Sequence, residues 1–199
     1  MPKLVDHDAR RDAIAAAAAR AIAEQGIDRV TTHDLAKAAG CTVGALPRYF
    51  RNKDEILVAA LRHVVAGVRK RATAVVLNHG VLEPMRMWAQ VLPVGAPQRR
   101  EWQVWIAFSG RAATHPELRD EFKQRYEEGH KDTRLLLKTM RDNRELPYDL
   151  DLDDAAELLT SVVDGLGIRA TLQPRDWPAA KQLSHVARAL RLLGWTGPA

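Results

Sequence analysis

The residues from 42 to 48 carry side chains that are suited to reading the edges of DNA bases. Arg48 can donate two hydrogen bonds to O6 and N7 of guanine, while Val43 and Ala45 can touch the methyl group of thymine. Gly44 lets the backbone approach the bases closely. We therefore expect contacts in the major groove from Thr42, Val43, Gly44, Ala45 and Arg48.

Polar residues on either side of this stretch are suited to binding phosphates. Their hydroxyl, imidazole and ammonium groups can donate hydrogen bonds to phosphate oxygens, which fixes the register on DNA without selecting a sequence. We expect phosphate contacts from Thr32, His33, Tyr49 and Lys53. Alternatives stay open, because Tyr49 can belong partly to the core, and His33 and Arg48 can be ordinary solvated side chains.

Two short helices joined by a tight turn are predicted to position these residues. Thr32 is a good N-cap for a helix through Ala39, and Thr42 can cap a second helix that ends near Tyr49. Gly40 can adopt the positive φ of the turn between them. The pattern predicts a helix-turn-helix with a shared interior of Leu35, Ala39, Cys41, Leu46 and Tyr49.

Helices are also predicted on both sides of this pair. The Ala-rich run from Ala9 to Gln25 ends at Gly26, which is a natural residue to follow a helix. Asn52 can cap a long amphipathic helix from Lys53 to about residue 77. The pair would therefore lie between a supporting helix and a long connecting helix.

Positive charge is concentrated in the same part of the chain. Residues 1–78 hold 13 Lys or Arg against 8 Asp or Glu, whereas residues 79–199 hold 17 of each, so the net charge of +5 lies entirely in the first part. This asymmetry is typical of a basic DNA-binding module attached to a neutral body. A mildly basic surface without a nucleic-acid partner is the alternative.

The stretch from Ala9 to Leu61 resembles the N-terminal domain of the tetracycline-repressor (TetR) family. Family members are homodimeric transcriptional regulators that release DNA when they bind a small ligand, and the resemblance implies the same function here. It also implies a phosphate contact by Lys53. The matching residues are Ala17, Gly26, Thr32, Leu35, Ala36, Ala39, Gly40, Thr42, Gly44, Leu46, Tyr49, Phe50, Asn52, Lys53 and Leu57.

Pro47 departs from the family pattern, which usually has a tyrosine at this place whose hydroxyl touches the DNA backbone. Proline past the first turn of a helix removes a hydrogen-bond donor. We therefore expect a shortened or distorted recognition helix, and the phosphate contact of that tyrosine is not carried over to Pro47.

The whole chain is predicted to be all-α. Prolines and capping residues indicate further helices near 83–93, 97–113, 116–144, 152–173 and 177–193, with Thr114, Asp151 and Asp176 as caps. We expect a helix-turn-helix DNA-binding domain at 1–53 and a helical ligand-binding and dimerisation domain at 54–199.

The C-terminal part resembles the choline-regulator branch of the same family at residues 101–108, 115–118 and 163–168. This resemblance implies that the last two helices pair with their copies in a dimeric four-helix bundle, with small residues allowing close contact. The implied interface residues are Val163, Gly165, Leu166, Gly167, Leu183, Val186 and Leu190. The alternative is that they form the core of a single chain.

Aromatic residues and one acid are candidates for lining a ligand pocket in this part. Aromatic walls with few polar groups suit a small molecule, and an added acid would favour a cation through cation–π and charge attraction. The candidates are Trp88, Trp102, Trp105, Phe108, Tyr126 and Asp164. Core packing is the alternative for the aromatics, and solvent or a helix end for Asp164.

Other function classes find little support in the sequence. Cys41 is the single cysteine, and phosphate loops, nucleophile elbows and zinc motifs are missing, so we expect no enzyme, no metal and no cofactor. We also expect no membrane partner and a cytoplasmic location. The predicted function is a homodimeric repressor that a small molecule releases from a palindromic operator. The alternative is a small-molecule binding protein of the same fold with weak or nonspecific DNA binding.

Overall fold

A computed structural model describes residues 7–79 and 83–197 of the chain. Within these two ranges the protein consists of helices without a strand, which confirms the all-α prediction. The helices are α1 (His7–Gln25), α2 (Thr32–Ala38), a 3₁₀ helix (Val43–Arg48), α3 (Lys53–His79), α4 (Pro84–Val91), α5 (Ala96–Ala112), α6 (Pro116–Asp142), α7 (Leu152–Leu172) and α8 (Ala179–Leu192). No helix of these ranges is both long and apolar enough to span a membrane.

Local signals determine most helix ends. Proline begins α4 and α6, where its missing N–H has no intrahelical partner to lose. Asp151 caps α7 by accepting hydrogen bonds from the backbone N–H groups of residues 153 and 154. The predicted cap at Asp176 is wrong, because Pro178 is the N-cap of α8 and residue 176 lies in the preceding turn.

The chain packs as two compact units, and α3, α5 and α6 each contribute residues to both. The first unit comprises residues 1–67 and 103–122. Its core contains the apolar faces of α1, α2 and the start of α3, together with the end of α5, whose Phe108 is fully buried. The boundary after residue 53 proposed from the sequence concerns functional domains and stays a prediction.

Ion pairs fasten the 103–122 segment to the rest of the first unit. Arg111 pairs with Asp28 at 3.1 Å, in the loop before α2, and with Asp54 at 3.5 Å, in the first turn of α3. Arg62 donates two hydrogen bonds, of 2.8 and 2.6 Å, to the carboxylate of Glu121. The helix-turn-helix therefore shares its unit with the end of α5 and the start of α6.

The second unit comprises residues 68–102 and 123–199, and within it α8 packs against both α4 and α7. Trp102 lies on the backbone of Gly167 and donates a hydrogen bond of 2.7 Å from its indole N–H to the carbonyl of Val91. A Cβ atom at residue 167 would collide with the indole ring. Gly167 therefore makes room for Trp102 within one chain.

The residues predicted for the dimer interface mostly pack inside a single protomer. Leu183 is half-buried and Gly165 is exposed, whereas the others are buried. A side chain that is already buried in its own protomer has almost no surface left to cover with a partner. The intrachain-core alternative therefore fits the buried members of the set, which are Val163, Leu166, Gly167, Val186 and Leu190.

Candidate nucleic-acid interface

Helix α2 begins with a capping box one residue earlier than the sequence analysis placed its cap. Thr31 is the N-cap, and its hydroxyl accepts a hydrogen bond of 3.2 Å from the N–H of Asp34. The carboxylate of Asp34 accepts one of 3.0 Å from the N–H of Thr31. The predicted N-cap at Thr32 is therefore wrong. The reciprocal pair needs its acid three residues after the cap, and only Thr31 has one there.

The turn after α2 has the predicted glycine conformation. Gly40 has a φ of +63°. Its N–H donates to the carbonyl of Lys37 at 3.1 Å, and the N–H of Cys41 donates to that of Ala36 at 2.9 Å. Leu35 and Ala36 are buried in the core of the first unit, which holds the end of α2 in place. The turn at Gly40 therefore starts from a fixed position and sets the direction of the next helical element.

Residues 42–49, which we call the recognition segment, contain a 3₁₀ helix instead of an α-helix, with Pro47 inside it. Proline has no N–H to donate, and a 3₁₀ helix is stable only in short pieces. The expected distortion at Pro47 is therefore confirmed. Thr42 occupies the N-cap position, but its side chain makes no capping hydrogen bond.

The recognition segment exposes most of the predicted base-reading residues. Thr42, Gly44 and Arg48 are exposed, and Val43 has 42% of its surface accessible. Ala45 is half-buried, and Leu46 points into the core of the first unit. The structure therefore brings the candidates together on one short element, which Leu46 anchors in the core. Their contacts with bases stay a prediction.

The candidate phosphate-binding residues lie on three neighbouring elements. Thr32 and His33 are exposed in the first turn of α2. Tyr49 is half-buried against the core, which supports the partly structural alternative for it. Lys53 is half-buried and begins α3.

The start of α3 is fixed by two hydrogen bonds around Glu55. The side chain of Asn52 accepts one of 2.8 Å from the N–H of Glu55, as expected for a cap. The carboxylate of Glu55 accepts one of 2.7 Å from the N–H of Arg51. That backbone hydrogen bond is the main cause that lowers the pKa of Glu55 below its usual value. Lys53 is therefore held in an ordered first turn.

Three residues of α1 bind the backbone of the helix-turn-helix, and the sequence analysis missed them. His7 Nε2 lies 3.0 Å from the carbonyl oxygen of Arg48. Arg10 donates to the carbonyl of Gly40 at 3.3 Å, and Arg11 donates to that of Tyr49. The adjacent arginines near the start of α1 were the available signal.

The predicted ligand-pocket residues fall into two groups. Trp105 and Phe108 belong to the first unit, where Phe108 is fully buried and Trp105 packs on the ring of Phe122 at 4.5 Å between centroids. Core packing, which was their alternative, fits these two, while a ligand contact by either stays a prediction. The buried Trp88 and Trp102, and the pair Tyr126 and Asp164, belong to the second unit.

Tyr126 and Asp164 are hydrogen-bonded to each other. Burial raises the pKa of the Asp164 carboxyl above its usual value, the hydrogen bond from Tyr126 opposes this shift, and the negative charge of Glu157 adds to it. Burial, followed by the charge of Asp164, also raises the pKa of the Tyr126 hydroxyl. The second unit thus holds an acid whose charged form is disfavoured by its surroundings.

Comparisons with known proteins decide what these elements belong to. A model described as "Bacterial regulatory proteins, tetR family" matches residues 14–60, and one described as "BetI-type transcriptional repressor, C-terminal" matches residues 84–194. The second match alone covers more than half of the chain. The chain belongs to the TetR family. It is a DNA-binding transcriptional regulator, as the resemblance to this family implied.

Individual TetR-family regulators match along most of the chain. The regulator PksA of Bacillus subtilis (strain 168) is 33% identical, over 87% of this chain and 84% of its own. The regulator BetI of Escherichia coli O127:H6 is 30% identical, over 93% of this chain and 95% of its own. These relatives are transcriptional regulators and not enzymes.

Solved structures of regulators share the fold. A regulator from Rhodococcus sp. Rha1 has a TM-score of 0.79 and 26% identity, over 94% of this chain and 99% of that chain. A regulator from Saccharomonospora viridis, solved in complex with choline, has a TM-score of 0.78 and 26% identity, over 92% of this chain and 96% of that chain.

The capping box at α2 leads to a stability prediction. Replacing Thr31 with Ala removes the acceptor for the N–H of Asp34 and should lower the free energy of unfolding by about 1 kcal/mol. Thr32→Ala, one residue further on, should change it by less than half as much. Chemical denaturation at pH 7 measures both, and equal losses would contradict the assignment of the cap.

The same box sets a pH dependence. Hydrogen bonds from Thr31, the side chain first, lower the pKa of Asp34 below its usual value. A lowered pKa stabilises the fold above the pKa of the unfolded chain, and this contribution disappears as the pH falls through the folded-state value. The difference in the free energy of unfolding between Thr31→Ala and the parent protein should therefore become smaller as the pH falls into the acidic range.

Proposed function

We propose that this TetR-family regulator is a homodimeric repressor that binds a palindromic operator in the cytoplasm and leaves it when a small cation binds its second unit. The observation that carries the DNA-binding part is the recognition segment, which exposes Val43, Gly44 and Arg48 between two capped helices. That arrangement supports the base contacts that we propose for these residues and the phosphate contacts that we propose for Thr32, His33 and Lys53.

Selection of a binding sequence from random duplex DNA tests the DNA-binding proposal. The protein without added ligand should enrich one palindromic sequence, because a twofold dimer presents two identical recognition segments. Arg48→Ala should reduce the preference for the selected duplex over a scrambled one by about 1–3 kcal/mol, which is the value of one bidentate base contact.

Lys53→Ala should act differently from Arg48→Ala. Removing a charge that binds phosphate weakens binding to the selected and scrambled duplexes equally, and it reduces the slope of the salt dependence by about one for each phosphate that is no longer neutralised. Arg20→Ala, an exposed charge on α1, is the control for the change in net charge. Failure of the parent protein to enrich any sequence would favour a ligand-binding protein with nonspecific DNA binding.

The dimer surface that we propose is the exposed face of α7. Leu158, Ile168 and Leu172 have 50%, 41% and 69% of their surface accessible, and they lie with Gly165 at spacings of three, four and seven residues. Such spacings place them on one side of the helix. Exposed large apolar side chains on one face mark an interaction site, and we assign a second copy of this chain to it.

Introducing charge on this face tests the dimer. Leu172→Glu should increase the proportion of monomer in sedimentation equilibrium, because a carboxylate would be buried in the interface without a partner. Leu135→Glu is a matched control, since Leu135 is 62% exposed on α6, outside the proposed face. Equal behaviour of both variants would reject α7 as the interface.

The effector that we propose is a small organic cation held by the carboxylate of Asp164. Asp164 is half-buried, and an acid whose pKa is raised by burial gains stabilisation when a positive charge comes close to it. Tyr126 donates a hydrogen bond to the acid, and Glu157 adds negative charge. A similar regulator has been solved with choline, which supports a cation as the class of ligand.

Calorimetric titration with choline tests this assignment. Asp164→Asn should weaken binding about tenfold or more, the value of a hydrogen bond or contact to a charged group. In the parent protein, affinity should fall as the pH is lowered through the raised pKa of Asp164, because protonation removes the charge that attracts the cation. The variant should lose this pH dependence.

Asp154→Asn, which changes an exposed acid near the start of α7, is the matched control for Asp164→Asn. It should leave choline binding unchanged. An identical loss in both variants would point to a general field of negative charge rather than a site at Asp164. Binding that releases no DNA would reject the repressor mechanism while keeping the site.

A further inference from the structure

We propose that Arg11 is a positioning residue for DNA recognition, which holds the recognition segment in the orientation that presents Val43 and Arg48 to the bases. This inference rests on the proposed DNA-binding function. Arg11 lies on α1, outside the helix-turn-helix, and donates a hydrogen bond to the carbonyl of Tyr49 at the end of the segment.

The recognition segment needs such an anchor because its own hydrogen bonds end early. The N–H groups of Tyr49 and Phe50 both donate to the carbonyl of Leu46, at 2.9 and 3.0 Å. Pro47 contributes no donor, and the helix is only six residues long. The carbonyls that follow carry the partial negative charge of a helix end, and a cation satisfies them best.

Arg11 contacts three groups that must keep their relative positions. Besides the carbonyl of Tyr49, its guanidinium lies over the ring of Phe50 at 4.4 Å from the centroid. It also pairs with the carboxylate of Glu55 at 3.6 Å. Glu55 in turn accepts the hydrogen bond from the N–H of Arg51. One side chain therefore connects the end of the segment with the start of α3.

The helix that carries Arg11 is itself firmly held. Ile14, Ala18 and Ile22 of α1 are almost completely buried in the core of the first unit. Arg10 donates to the carbonyl of Gly40, and His7 contacts the carbonyl of Arg48 and the ring of Tyr49. Arg11 makes a hydrogen bond, an ion pair and a ring contact, and it alone of the three reaches the start of α3 through a described contact. Only a planar guanidinium can satisfy these three groups together, so lysine is not equivalent to arginine here.

Arg11→Lys separates positioning from the two simpler roles of this residue. The substitution keeps the charge but loses the fork of donors and the planar surface. If Arg11 only contacted phosphate, the positive charge of lysine would suffice. The variant would then bind the selected duplex and a scrambled duplex with the same affinities as the parent protein. If it only stabilised the fold, the melting temperature would fall while the folded fraction kept its preference for sequence.

The experiment compares affinities for the duplex selected by the parent protein and for a scrambled duplex of equal length, at several salt concentrations. Arg11→Lys should reduce the ratio of the two affinities about tenfold, the scale of a lost hydrogen bond to a charged group, with an unchanged salt slope. Arg20→Lys, an exposed arginine of the same helix, should leave the ratio unchanged.

Glu55→Gln is the second variant and covers the case in which Arg11→Lys does not fold. It removes the ion pairs with Arg11 and with the exposed Arg51 but keeps an oxygen that can accept from the N–H of Arg51, so the affinity ratio should fall by a smaller factor. An unchanged ratio in the folded variants would overturn the proposal, as would an equal loss on both duplexes. A parent protein that selects no sequence would instead reject the proposed function.

Discussion

The backbone hydrogen bonds of the recognition segment are the constraint on which the DNA-binding unit depends. The last carbonyls of a helix have no intrahelical donor, and this helix is only six residues long. The structure satisfies them from α1, through His7 at Arg48 and Arg11 at Tyr49. The recognition segment exposes its side chains to solvent, while α1 binds its backbone carbonyls from within the first unit. Two different helices therefore provide the exposed side chains and the fixed backbone.

A second consequence concerns how large the DNA-binding unit must be. Three short helices bury little apolar surface by themselves. The first unit enlarges its core with the end of α5, where Phe108 is fully buried, and Arg111 bridges Asp28 and Asp54 across that contact. The residues that support the helix-turn-helix thus come from parts of the chain that lie far apart in sequence. A change of position in α5 would act directly on Asp54 in the first turn of α3.

Sequence reasoning succeeded for most local determinants, although it placed the caps of α2 and α8 at Thr32 and Asp176 instead of Thr31 and Pro178. Prolines, Asn52 and Asp151 fixed helix ends, and Pro47 predicted the distortion of the recognition segment. It failed where the partner lies far along the chain. A glycine in a helix allows close approach from any direction, so nothing near Gly167 revealed that Trp102 lies against it. The contacts of Arg11 were hidden for the same reason.

The two sides of α7 show why the sequence alone does not separate residues of the core from residues available to a partner. Both sides carry large apolar residues, and only packing distinguishes the buried Val163 and Leu166 from the exposed Ile168 and Leu172. Asp164 lies next to the buried side, where burial disfavours its charged form and Tyr126 donates a hydrogen bond to it. A carboxyl with a perturbed pKa is typical of functional sites, which supports the ligand role that we propose for Asp164. Because the same helix carries the exposed face, the ligand site and the dimer surface that we propose both lie on α7.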